Sequence, residues 1–146
     1  MREKLNGTDE TVEYAREFVA RLSPKKDAAM VVALSGELGA GKTTFVQAVA
    51  RVLGVEETVT SPTFVIEKVY ELDNQKWNHL IHIDAYRLES PHELEVLGWR
   101  EIVAEPSNLI LIEWPEMVAG LIPEDAVRIA LSGTGASREI MIEKGK

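Results

Sequence analysis

Residues 36–43 read Gly36-Glu37-Leu38-Gly39-Ala40-Gly41-Lys42-Thr43. This run matches the pattern of a phosphate-binding loop, in which a glycine, four variable residues and a second glycine precede lysine and threonine. Glycines let the backbone turn tightly and direct N–H groups at phosphate oxygens, and the start of the following helix adds partial positive charge. The lysine reaches the β- and γ-phosphates, and the threonine hydroxyl takes one Mg²⁺ position. The loop therefore predicts a site for a nucleoside triphosphate with Mg²⁺; the alternative is a glycine-rich turn that binds nothing.

The sequence on either side of the loop supports this interpretation. Residues 28–34 form a continuous apolar run, which is typical of a strand buried on both faces. After the loop, the pattern predicts an amphipathic helix from Lys42 to Leu53 that ends at Gly54. A phosphate site at a helix N-terminus requires this order of strand, turn and helix, so the context argues against a chance match.

The rest of the chain predicts further elements around this unit. Together these elements predict a single α/β domain over residues 1–146. The predicted fold is a P-loop NTPase three-layer sandwich whose central sheet is mainly parallel and whose marginal hairpins are antiparallel. The predicted elements are a helix with Thr8 as N-cap that ends at Ser23-Pro24, a hairpin of residues 64–72 and 77–83, a short helix opened by a capping box at residues 90–93, a strand at Asn108–Glu113, and a terminal hairpin whose strands include residues 127–131 and 140–142.

Composition narrows the possible functions. The 146 residues include 24 acidic and 16 basic side chains, for a net charge of −8, and no cysteine. Nucleic acids attract proteins mainly through Lys and Arg, so we expect no strong direct binding to them. The longest apolar run, residues 28–34, is far short of the roughly 20 residues of a membrane helix. With neither disulfides nor a visible signal peptide, we expect a cytoplasmic protein that is a monomer on its own.

Two acidic residues follow apolar runs, as a P-loop enzyme needs near its metal. Asp84 ends the run 80–83, and Glu113 ends the run 109–112. Either acid is suited to hold Mg²⁺ directly or through water while the other orients the attacking water; the alternative for each is an ordinary solvated acid. Together with Lys42 they are the predicted catalytic residues.

The histidines do not predict a metal site. His79 and His82 differ by three residues, so an extended strand would point them to opposite faces. Scattered histidines without cysteine are more often surface or packing residues. We therefore assign no zinc site.

The sequence favours ATP over GTP. It lacks the Asn-Lys-x-Asp segment through which Ras-type GTPases read guanine. All three tryptophans, Trp77, Trp99 and Trp114, are expected in the core or at its rim rather than as base-stacking platforms, although Trp114 directly follows Glu113 and is in position to lie near the nucleotide.

The motifs, taken in order, closely resemble those of the TsaE family, formerly called YjeE. Ser-Pro-Thr-Phe followed by Asp-x-Tyr-Arg-Leu is far more specific than the loop alone, and the resemblance covers essentially the whole chain. The residues that carry it are Gly36 to Thr44, Ser61-Pro62-Thr63-Phe64, His82-Ile83-Asp84-Ala85-Tyr86-Arg87-Leu88, Glu93-Leu94-Glu95 with Gly98, and Ile112-Glu113-Trp114.

This resemblance implies a small bacterial ATPase that works with TsaD and TsaB. Together they attach a threonylcarbamoyl group to the adenosine beside the anticodon of tRNAs that read codons beginning with A; the transferase chemistry belongs to TsaD, and tRNA contact would come through the partners. The implied Mg²⁺ ligands are Thr43 and Glu113, with Asp84 as the strand-end acid. The implied contacts to ATP or ADP are Thr11, Glu37, Leu38, Gly39, Ala40, Gly41, Lys42, Thr43, Thr44 and Arg138, and Ser61-Pro62-Thr63 matches a loop similar to a GTPase switch.

We expect slow hydrolysis by the isolated chain and stimulation by partners, because no arginine finger is evident. Two other hypotheses remain open. A small-molecule kinase would usually carry an arginine-rich lid, but the arginines here are scattered. A nucleotide-dependent interaction module would bind nucleotide without turning it over.

Overall fold

The computed structural model describes residues 2–37, 40–57, 59, 67–134 and 137–143, with the backbone alone at residues 2, 3, 8, 134, 137, 138 and 143. Its elements, in chain order, are β1 (Arg2–Asn6), α1 (Thr8–Arg21), β2 (Met30–Ser35), α2 (Lys42–Val52), β3 (Glu67–Glu71), β4 (His79–Asp84), α3 (Pro91–Val96), α4 (Trp99–Ala104), β5 (Asn108–Glu113), a 3-10 helix (Pro115–Leu121), β6 (Val127–Thr134) and β7 (Ser137–Glu143).

The strands form one sheet in the order β1-β7-β6-β2-β5-β4-β3. Strands β6, β2, β5 and β4 run parallel, whereas β3 at one margin and β7 and β1 at the other are antiparallel to their neighbours. The prediction of a parallel centre with antiparallel marginal hairpins is therefore confirmed. Parallel strands end at a common edge, and the register sets Leu34 beside Glu113 and Glu113 beside Asp84.

Helices cover both faces of the sheet. Because successive strand residues point to opposite faces, Val32 and Leu34 pack with α1 and α2 in one apolar cluster. Val31 and Ala33 pack in a second cluster with side chains of α3, α4 and the 3-10 helix. All six residues of β5 are buried, which is why its sequence is an almost unbroken apolar run. The three-layer sandwich is thus confirmed.

The first helix is capped differently from the prediction. Thr8 is already helical, and the N-cap is Gly7, at φ 100°. The Gly7 carbonyl accepts hydrogen bonds from the Thr11 backbone N–H (3.2 Å) and the Thr11 hydroxyl (3.0 Å). The Glu10 carboxylate accepts one from the Asn6 N–H. The Thr8 prediction was wrong because glycine takes the positive φ of this turn at low cost, and nearby side chains satisfy the backbone groups.

The predicted capping box at residues 90–93 is only partly present. Ser90 is the N-cap and Pro91 opens α3, but the Ser90 side chain makes no capping hydrogen bond. The Glu93 carboxylate instead accepts a hydrogen bond from the Glu89 N–H at 3.1 Å, one residue earlier than the motif requires. Beyond Gly98, the chain forms α4 and, later, the 3-10 helix, neither of which was predicted from the sequence.

The two predicted hairpins are confirmed where the structure describes them. Strand β3 pairs with β4, and β6 pairs with β7; residues 64–66, which were predicted to begin the first hairpin, lie outside the described residues. Strand β1 was not predicted, since only its pairing with β7 makes it a strand. Within the described ranges, no helix has both the length and the apolar character needed to cross a bilayer.

Candidate phosphate-binding site

The loop between β2 and α2 depends on glycine at two positions. Gly36 has φ 150°, and a Cβ there would lie 2.6 Å from the carbonyl oxygen of Leu131 in β6. Gly41, at φ 100°, is the left-handed N-cap of α2. An internal hydrogen bond from the Ala40 N–H to the Glu37 carbonyl (3.0 Å) folds the loop back. Leu38 and Gly39 lie outside the described residues. The loop thus delivers the chain to a helix N-terminus, where N–H groups are free to meet an anion.

Lys42 is held at the mouth of the loop. The side chain is buried, with 5% exposure, and its ammonium group donates hydrogen bonds to the carbonyls of Gly36 and Glu37, the latter at 3.1 Å. It also lies 4.0 Å from the centre of the Trp114 ring, in the geometry of a cation–π contact. The side chain of the predicted phosphate-binding lysine therefore folds back over the loop and does not extend into solvent.

The charge of Lys42 is influenced by two opposing effects. Burial lowers its pKa from the ordinary value of 10.5, while the carboxylates of Glu113, Glu116 and Asp84 act to raise it. Burial dominates, so the site makes the ammonium less stable than it would be in water. A phosphate group beside Lys42 would offset that cost, since it brings negative charge to a partly dehydrated cation.

Thr43 and Glu113 meet across the sheet edge. The Thr43 hydroxyl, in the first turn of α2, donates to the Glu113 carboxylate, with Oγ1 at 3.3 Å from Oε1 and 3.4 Å from Oε2. Glu113, at the end of β5, is only 2% exposed. A hydroxyl and a carboxylate are the hard oxygen donors that Mg²⁺ prefers, so these two residues fit the ion that the loop implies.

Asp84 lies at the same edge but in a different setting. It pairs with Glu113 in the β4–β5 register, is partly exposed, and its Oδ1 accepts a hydrogen bond from the Tyr86 N–H at 3.0 Å. The structure thus brings together the three predicted catalytic side chains, with Glu113 against Thr43 and Asp84 one strand further out.

Trp114 connects the end of β5 to the loop. Its backbone is left-handed, at φ 59° and ψ 51°, which is strained for a bulky residue. Its N–H donates to the Leu34 carbonyl at 3.2 Å, and its ring contacts Tyr86 with 4.9 Å between centroids. Trp114 lies beside the loop through its contact with Lys42, and its proximity to a nucleotide stays a prediction. Trp77 and Trp99 are buried in the core.

The remaining predicted nucleotide contacts lie in three places. Thr44 follows Thr43 in the first turn of α2. Thr11 is buried in the first turn of α1, where its hydroxyl bonds the Gly7 carbonyl. Arg138 lies in β7, where its backbone pairs with Leu5; its side chain is not among those that the structure describes.

No functional role was predicted for His82, which lies next to this site. It is fully buried, and its Nε2 is 2.5 Å from Oε2 of Glu113. The alternating pattern did place His79 and His82 on opposite faces. What it missed is that His82 shares its face with Asp84 and contacts Glu113 on the neighbouring strand; the polar residue amid the apolar run 80–83 was the available signal.

The parallel sheet, the loop and the following helix define a protein with the P-loop NTPase fold. A family model described as "Threonylcarbamoyl adenosine biosynthesis protein TsaE" matches residues 5–140. The chain belongs to the TsaE family.

Individual relatives agree with this assignment. The tRNA threonylcarbamoyladenosine biosynthesis protein TsaE of Rickettsia bellii (strain RML369-C) is 36% identical over 128 residues, which cover 87% of this chain and 83% of that protein. The protein of the same name from Treponema pallidum (strain Nichols) is 43% identical over 101 residues, which cover 69% and 71% of the two chains. Among solved structures, Bacillus subtilus YdiB superposes with a TM-score of 0.77 at 27% identity, covering all of this chain and 86% of that one.

Proposed function

We propose that the protein binds and hydrolyses ATP with Mg²⁺ at the loop between β2 and α2, and that this activity supports threonylcarbamoylation of the adenosine next to the anticodon in tRNAs that read codons beginning with A. The observation that carries the proposal is the convergence of Lys42, Thr43 and Glu113 at one helix N-terminus. Membership of the TsaE family supplies the biological context.

The proposed role of each residue in nucleotide binding and hydrolysis follows from the chemistry of its side chain. Lys42 and the amides at the start of α2 bind and orient the phosphates, as cationic and N–H groups do in P-loop proteins. Thr43 and Glu113 would hold Mg²⁺, which neutralises charge on the phosphate oxygens when it is bound. Asp84, on the adjacent strand end, is proposed to orient the attacking water. Glu37, Leu38, Gly39, Ala40, Gly41, Thr44, Thr11 and Arg138 are proposed as further contacts to the nucleotide.

Hydrolysis by the isolated chain should be slow. Stimulation is proposed to come from TsaD and TsaB, as the family resemblance implies. The net charge of −8 makes direct, strong contact with the tRNA backbone unfavourable, so tRNA is proposed to meet the partners rather than this chain. The same charge suits a cytoplasmic protein that is monomeric until it meets its partners.

Steady-state phosphate release tests this function. It should be measured for the chain alone, for the TsaB–TsaD pair alone and for all three together, each with and without tRNA. The proposal predicts release by the mixture that exceeds the sum of its parts, and a Lys42→Ala chain should abolish the excess. Equal rates with and without the partners would refute the coupling.

Fluorescence locates the nucleotide. Trp114 is in contact with Lys42, whereas Trp77 and Trp99 are buried in the core. Addition of Mg²⁺–ADP should therefore change the emission of the wild-type chain, and a Trp114→Phe variant that still binds ADP by calorimetry should lose most of that change. A change that persists in Trp114→Phe would place the nucleotide elsewhere.

A further inference from the structure

His82 is a buried polar residue that the proposed chemistry does not use. Its side chain is 0% exposed, on a strand whose neighbouring residues, Ile81 and Ile83, are core side chains. On the side of the ring away from Glu113, Nδ1 is also buried and has no hydrogen-bond partner among the described residues. An unpaired buried nitrogen is destabilising. Packing alone therefore does not explain an imidazole here, since leucine would fill the space without that cost.

The contact that His82 does make is directional. An ionised carboxylate only accepts hydrogen bonds, so Nε2 of His82 carries the proton that it shares with Oε2 of Glu113 at 2.5 Å. His82 pairs in register with Leu111, two residues before Glu113, and its ring reaches the carboxylate diagonally across the two strands. The side chain thus comes from the sheet beneath the site, not from the solvent side.

Glu113 is consequently held at two points. His82 engages Oε2, and the Thr43 hydroxyl spans both oxygens at 3.3 and 3.4 Å. Without the imidazole, the carboxylate would be free to rotate about its last torsion, which is broad and roughly two-fold. With it, one oxygen is fixed towards β4 and the other remains directed at Thr43, the second oxygen donor of the pair.

We propose that His82 is a positioning residue that orients the Glu113 carboxylate for the divalent cation of a bound nucleotide. This inference rests on the proposed function, because it concerns the same metal site. Hydrogen bonds to a ligating carboxylate from residues behind it usually matter about 10- to 100-fold in metal affinity or activity. The effect should appear in metal affinity and be absent from metal-independent nucleotide affinity, which depends on the loop and Lys42.

The test compares three variants with the wild-type chain. His82→Leu removes the donor, and His82→Gln places an amide N–H near the position of Nε2. His79→Leu is the matched control, because His79 lies on the same strand but points to the other face. Each is titrated with Mn²⁺ in the presence of ADP, with free Mn²⁺ followed by electron paramagnetic resonance, and with ADP alone by calorimetry.

The expected result is a Mn²⁺ affinity weakened about 10- to 100-fold in His82→Leu, largely restored in His82→Gln and unchanged in His79→Leu. Affinity for ADP without metal should stay within about twofold throughout, a difference well below 1.4 kcal/mol. The denaturation midpoint of His82→Leu should fall below that of the wild type, because the buried Glu113 carboxylate loses a hydrogen-bond donor, and the midpoint of His82→Gln should fall less. Unchanged Mn²⁺ affinity in a folded His82→Leu overturns the inference and leaves nucleotide binding intact, whereas a wild-type chain that binds no ADP overturns the proposed function itself.

A measurement on the wild-type chain decides the matter even if His82→Leu does not fold. The ¹⁵N shifts of the His82 ring, assigned by comparison with His82→Gln, should show a proton on Nε2. A proton on Nδ1 with none on Nε2 would remove the hydrogen bond on which the argument depends, and would overturn it.

Discussion

Gly36 offers the sharpest test of the loop geometry. An added methyl group would lie 2.6 Å from the Leu131 carbonyl oxygen and 3.1 Å from the Ala40 Cβ, at a backbone φ of 150°. The first contact is with the backbone of β6, which cannot move as a flexible side chain would. Backbone strain costs about 1–3 kcal/mol, and overpacking a further 1–3 kcal/mol. Gly36→Ala should therefore lower the free energy of unfolding by about 2–6 kcal/mol.

Two other glycines separate these contributions. Gly7 has φ 100° with nothing within 4 Å of an added Cβ, and Gly120 likewise has open space but no positive φ. Gly7→Ala should therefore cost about 1–2 kcal/mol from its backbone conformation alone. Gly120→Ala should change stability by less than about 1 kcal/mol, in either direction.

The assay is urea denaturation followed by far-ultraviolet circular dichroism, with ADP affinity measured on the folded protein. Gly36→Ala should be the least stable of the three variants and should also bind ADP more weakly, because relief of the clash displaces the loop. Gly7→Ala and Gly120→Ala should bind ADP as the wild type does. If Gly36→Ala proves no less stable than Gly7→Ala, the close approach of the loop to β6 is refuted.

Four further substitutions have defined outcomes. Glu113→Gln and Asp84→Asn should each reduce phosphate release by about 100-fold or more while ADP still binds; retained turnover in either would remove that acid from the chemistry. Burial raises the pKa of Glu67 above its ordinary value of 4.5. Between the ordinary pKa and the raised pKa of the folded state, the folded chain binds more protons than the unfolded chain, so stability falls as pH rises through that window. Glu67→Gln should therefore raise the free energy of unfolding at pH 7 by about 0.5 kcal/mol, a small effect because solvent screens this half-exposed group, and the gain should vanish below pH 4.5. Lys76 donates hydrogen bonds to three carbonyls at the end of α1, so Lys76→Met should lower the melting temperature and cost about 1 kcal/mol. This cost should exceed that of Lys68→Met, at an exposed position of β3.

The parts of the fold that the sequence predicted are those whose cause is local. The strand β2 is a buried apolar run, Gly36 and Gly41 mark the turn, and α2 has helical periodicity, so strand, loop and helix were all predictable. Asp84 and Glu113 were found for the same reason, because each directly follows an apolar strand.

The parts that were missed depend on partners distant in the chain. Strand β1 exists through its pairing with β7, and no pattern in its five residues signals that pairing. His82 gains its setting from Glu113, 31 positions further on, and isolated histidines are usually packing residues. The wrong cap prediction has a local cause instead: N-cap preference favours threonine, but Gly7, one residue earlier, takes the positive φ of the turn and is the N-cap.

The central claim is that the loop at the start of α2 binds the phosphates of a nucleotide. Isothermal titration calorimetry with Mg²⁺–ADP tests this claim most directly. The wild-type chain should show saturable binding at one site per chain, and Lys42→Met, which keeps most of the length of the side chain but removes its charge, should weaken that binding about tenfold or more. Binding of equal strength in both proteins, or no saturable binding by the wild type, would contradict the account.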